Sequence, residues 1–118
     1  MEQSVNRKPL AKQRLAAKAR QASKLAELRE ALVAAGYDTT AKQAAALRVL
    51  RPTAWVVLNR DNRVGPSVKI IKRILSSPNL PQSARRKVEE YIDGRINGLY
   101  GHSEVSRQRF REQFDIPT

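Results

Sequence analysis

Cysteine is absent from these 118 residues, which excludes disulfides and thiolate metal sites. Histidine occurs once, at position 102. A lone imidazole with no clustered carboxylates is a poor start for a metal centre. Aromatic residues number only six: three Tyr, two Phe and one Trp. That argues against a single-strand binder, which stacks bases on aromatic rings. With much of the apolar content being alanine, the core buries little area per residue, and such chains often add an interface with a second copy. No apolar run approaches the ~18 residues of a membrane span, no signal-peptide pattern opens the chain, and no lipidation motif is visible. The expectation is a soluble cytoplasmic protein, nucleoid-associated, with no membrane partner.

Acidic residues are also few: 11 Asp+Glu face 23 Lys+Arg, a net charge of +12. The resulting pI near 10.9 is the electrostatic footprint of a nucleic-acid binder. The excess is uneven. Residues 1–24 carry seven basic and one acidic side chain, residues 25–76 nine and four, and residues 77–118 seven and six. A polyanion is therefore expected to meet the first two thirds of the chain. Catalysis is not expected. Glu89, Glu90 and Asp93 stand among Arg85, Arg86 and Lys87, a solvated, salt-bridged face rather than an acid/base pair. No glycine-rich phosphate loop is present, and no cofactor is implied.

Helix formers dominate, and the β-branched runs at 55–58 and 68–71 sit inside helical periodicity, so the chain reads as all-α. Residues 1–22 hold only Leu10 and Leu15 as large apolar residues and read as a basic arm, a frayed helix or a disordered segment that orders on a partner. Residues 23–98 form the domain, and 99–118 a C-terminal extension. Ser23 is the expected cap of a first core helix with Leu25, Leu28 and Leu32 inward and Gly36 at its end. Thr39 or Thr40 caps a second helix, and Arg48 to Arg51 form a turn. Pro52, Pro66 and Pro81 open the third, fourth and fifth helices. Gly94 and Gly98 fray the fifth, and Ser103 caps a short last one.

The stretch from Thr40 to Asn59, TAKQAAALRVLRPTAWVVLN, supplies what a helix-turn-helix needs. Ala44 is small where the second helix crosses the first. Leu47 closes the first helix, Val49 plugs the core after the turn, and Ala54 and Val57 face inward. Trp55 is assigned to the core as its largest piece. The apolar run from Ala54 to Leu58 then requires the third helix to be covered on more than one side.

This stretch resembles the lambda-repressor-like (Cro or XRE) helix-turn-helix family, whose pattern is Gln-x-x-Leu-Ala-x-x-Leu-Gly-Val-Ser-x-x-Thr-Ile-x-x-Ile-x-Asn. The resemblance covers roughly residues 24–93, including GPSVKIIKRIL after the motif. It implies a five-helix lambda-repressor-like domain, here with a basic N-terminal arm and a short C-terminal helix. It further implies a transcriptional regulator of bacterial or phage type, a repressor, bound as a homodimer to double-stranded DNA. Carried over, Arg51, Thr53 and Val56 would read bases: a guanidinium suits guanine O6 and N7, and methyl groups suit thymine. Thr40 and the loop holding Arg60, Asn62 and Arg63 would hold phosphates. Three departures stand out. Arg48 replaces the family's Gly, Leu50 replaces its Ser/Thr cap, and Gln43 occupies a usually apolar position.

Other basic residues add to the phosphate candidates. Lys42, Lys69, Lys72 and Arg73 flank the motif, with a solvated basic face as the alternative. Lys12, Arg14 and Lys18 belong to the arm, which tracks the DNA backbone or enters the minor groove; a solubilising tail is the alternative. Val105, Phe110, Phe114 and Ile116 either form a dimer contact or fold back on their own domain. Two other functions stay open: a protein partner gripped by the apolar third helix, as an antiactivator would, and sequence-tolerant nucleoid or RNA binding.

Overall fold

A computed structural model describes the backbone of residues 2–59 and 65–114, and side chains from residue 11 onward. Every element among the described residues is helical: α1 Glu2–Ala34, α2 Thr40–Leu47, α3 Arg51–Asn59, α4 Val68–Leu75, α5 Gln82–Ile96 and α6 Glu104–Gln113. None is long and apolar enough to cross a membrane.

α1 is the largest departure from the sequence reading. It runs unbroken for 33 residues, and Ser23 is an exposed residue inside it rather than a cap. The reason is local: Ala, Lys, Arg and Gln are all good helix formers, and nothing between residues 10 and 34 stops propagation. Burial begins at Ala17 and Gln21, about two turns and one turn before Leu25, Leu28 and Leu32. The inward stripe thus starts earlier than its large apolar residues suggest. The arm is thus part of α1, and its residues 11–16 are all exposed, projecting from the domain.

The helix ends follow capping chemistry. Gly36 adopts φ +100, and the Tyr37 N–H donates to the Leu32 carbonyl at 2.9 Å, the closing bond of a Schellman turn. Thr39, not Thr40, caps α2, accepting from the Lys42 N–H at 3.2 Å. α3 starts at Arg51, with Pro52 second, where its missing N–H leaves no bond unmade. Ser67 rather than Pro66 adjoins α4, accepting from the Ile70 N–H at 3.3 Å. Pro81 precedes α5 without a side-chain cap bond, and Ser103 caps α6.

α1 packs on α5 and α3; α2 packs on α3 and α4; α4 and α6 both lie on α5. Gly94 does not fray α5. It is buried within it, at a point where a Cβ would stand 2.5–2.9 Å from the Tyr100 ring and hydroxyl. The missing side chain admits Tyr100, which stacks on Tyr91 with centroids 5.1 Å apart. Lys24 and Lys87 alternate with Glu27 and Glu90 in a four-membered ion cluster joining α1 to α5, with N–O distances of 2.7–3.3 Å. These groups are partly solvated, so the cluster orients the two helices more than it stabilises them.

The C-terminal aromatics fold back. Phe110 is buried, with the Arg95 guanidinium 4.4 Å from its ring centroid and Phe114 tilted against it at 5.0 Å. Val105 is exposed, and Ile116 lies outside the described residues. Beneath this layer, the Tyr91 hydroxyl donates to Gln21 Oε1 at 2.9 Å. Arg95 Nη1 donates to the Pro66 carbonyl at 2.7 Å and to Tyr91 Oη at 3.3 Å. This buried polar chain connects the root of α1, α5 and the segment entering α4.

Candidate nucleic-acid interface

The turn between α2 and α3 is built by Arg48, which takes the left-handed conformation at φ 58, ψ 44. Its N–H reaches the Ala44 and Ala45 carbonyls, and the Val49 N–H bonds to Ala44 at 3.0 Å. The turn expected with glycine therefore forms with arginine, at a cost of about 1 kcal/mol or more. Gln43 is buried because its Nε2 donates to the Tyr37 carbonyl at 3.1 Å, satisfying a group that an apolar residue would leave unpaired. Leu50 is exposed and offers no cap.

Ala44, Leu47, Ala54 and Val57 are buried and Val49 is half-buried against the same core. Among the proposed readers, Arg51 is exposed while Thr53 and Val56 are half-buried. The latter two share a shallow cleft of about 320 Å³ with Pro52, Pro66 and Ile70, on the α4 side of α3.

Trp55 is not a core residue. It is 48% exposed, because the inward positions of α3 are taken by Ala54, Val57 and Leu58. Arg51, Trp55 and Asn59, each four residues apart, form the opposite stripe. The spacing is legible in the sequence, whereas the general tendency of a lone Trp to be buried points the other way. Trp55 lines an open groove of about 550 Å³ together with Arg29, Val33, Thr40 and Asn59; Glu30 and Asp38 also border it. Arg29 Nη1 donates to Asn59 Oδ1 at 2.9 Å, fixing the last residue of α3 to α1. Trp55→Ala is expected to cost only about 1 kcal/mol of stability, against 3–5 kcal/mol for a buried Trp. A thermal melt shifted as far as by a core deletion would contradict this placement.

Thr40 is half-buried at the start of α2. Lys42 Nζ lies 3.1 Å from Asp38 Oδ1, and this ammonium holds the Asp38 carboxyl below the usual range. The two acidic residues beside Thr40 oppose an anion there. Lys12 and Arg14 are exposed on the projecting part of α1, and Lys18 is half-buried at its root. Arg60, Asn62 and Arg63 lie outside the described residues. The described residues hold no group of three His, Cys, Asp or Glu placed to bind a metal. Comparison of the chain with protein-family models, curated proteins and solved structures finds no match.

Proposed function

We propose that this chain is a lambda-repressor-like regulator that binds double-stranded DNA, inserting the N-terminal half of α3 into the major groove. The observation that carries the reading is the division of α3 in a chain of net charge +12. Its inner residues are buried, while Arg51 and Pro52 stand exposed at its N-terminal end. Arg51 reads bases, Thr53 and Val56 supply methyl contacts, and Lys12, Arg14 and Lys18 position the protein on phosphates. Two copies bind a partly palindromic site.

Titration with duplex DNA at low salt tests the reading, and absence of binding there sinks it. Where binding occurs, log affinity falls with log salt by ~0.9 per phosphate neutralised. Arg51→Ala is expected to reduce discrimination between preferred and unrelated sites about tenfold, while Lys12→Ala weakens all sequences alike. Site selection from random duplexes gives both numbers, and the reverse pattern would reassign the reader. A second reading, capture of a partner protein, is favoured by the exposed Val33, Leu50 and Trp55. A contact through these persists at high salt, where phosphate contacts fade.

A further inference from the structure

Arg48 is the only non-glycine residue with positive φ among the described residues. Glycine would hold the same turn without strain. The arginine gains nothing locally in exchange, since its exposed side chain has no hydrogen-bond or ion-pair partner among the described residues. Strain without local compensation points to a use for the side chain itself.

That side chain borders an open cleft of about 530 Å³ shared with Lys72, Arg73 and Ser76, between the α2–α3 turn and the last turn of α4. Among the described residues no carboxylate lines the cleft. The Arg73 guanidinium is exposed and unpaired among the described residues, and Lys72 Nζ stands 5.6 Å from the Phe114 ring centroid, which bears no charge. The contrast with the other side of the motif is sharp. There Asp38 engages Lys42, and Glu30 joins Asp38 along the groove beside Thr40. Arg48 also lies three residues before Arg51, so the cleft adjoins the end of α3 that leads into DNA. We propose that Arg48, Lys72 and Arg73 hold a phosphodiester segment of the duplex, placing the main backbone contact on the α4 side of α3 rather than at Thr40.

This assignment rests on the DNA-binding reading, and one salt titration separates the two. Wild type, Arg48→Gly, Arg73→Gln and the double variant are titrated with one duplex over a range of salt, with a thermal melt of each. Arg48→Gly is expected to melt higher than wild type, through relief of the left-handed strain, and yet to bind more weakly. The slope of log affinity against log salt is expected to fall by ~0.9 in each single variant and ~1.8 in the double. Arg48→Lys, which keeps the charge, is expected to restore the slope. Unchanged affinity and slope in the variants, with wild type binding, overturn the cleft assignment alone. Failure of wild type to bind at low salt overturns the DNA-binding reading and the assignment with it.

Discussion

Replacing Gly65 by alanine is expected to lower the unfolding free energy by about 3 kcal/mol and the melting temperature by roughly 10 °C. Two effects add. Gly65 sits at φ +80, where an L side chain costs about 1–2 kcal/mol. A Cβ there would also run into the Tyr91 hydroxyl and come within 2.7 Å of Gln21 Oε1. Neither neighbour is free to move aside. They are hydrogen-bonded to each other at 2.9 Å, and Tyr91 is further fixed by Arg95 and by stacking on Tyr100. Overpacking of this kind costs about 1–3 kcal/mol. The consequence reaches the proposed interface, because Gly65 and Pro66 lead from the α3 side of the molecule into α4. Arg95 holds the Pro66 carbonyl from below. Chemical denaturation of the variant measures the effect, and a loss under about 1 kcal/mol would mean that this contact is slack.

Stability is expected to fall steeply between pH 10 and 12, and Tyr91→Phe to remove most of that fall. Burial of the Tyr91 phenol pushes its pKa up to about 12 from 10.0, against the opposing pull of the Arg95 charge and hydrogen bond. A raised folded value means that the fold favours the protonated form. Its contribution is therefore complete below pH 10 and lost as pH rises through about 12. Two pKa units correspond to about 2.7 kcal/mol at full deprotonation. Tyr100, raised by burial, and Lys24 and Lys87, raised by hydrogen bonds to Glu90 and Glu27, lose stability in the same direction. The difference between variant and wild type isolates Tyr91. Equal alkaline slopes in the two proteins would refute the assignment, whatever the variant's stability at neutral pH.

Some of the architecture was legible because its causes are local. A threonine or serine oxygen bonds to N–H groups two or three residues away, so Thr39 and Ser103 mark helix starts wherever the helices go. Gly36 ends α1 for the same kind of reason. The inward positions Leu25, Leu28, Leu32, Ala44, Leu47, Ala54 and Val57 follow from the helical period, which is a property of the backbone. Residue type alone misleads where the surroundings of a residue differ from its usual ones. Ser23 is a common cap but sits mid-helix, Gly94 is a common breaker but is a seat for Tyr100, and Trp55 is commonly core but faces out. Strong helix formers on both sides carry α1 through Ser23, the Tyr100 ring needs the space at Gly94, and Ala54, Val57 and Leu58 take the inward positions that Trp55 would need.

The sequence by itself determined the all-helical class, most helix ends, the inner faces of α2 and α3 and the excess of positive charge. These depend on neighbours within about four residues or on a plain count of charges. Tertiary structure alone decided that Gln21, Tyr91 and Arg95 meet, since the bond between Gln21 and Tyr91 spans 70 residues. It likewise decided that Arg48, Lys72 and Arg73 share one cleft while Lys42 is engaged by Asp38. Which charges stay free for a partner depends on how α4 comes to rest beside the turn, and no spacing along the chain encodes that.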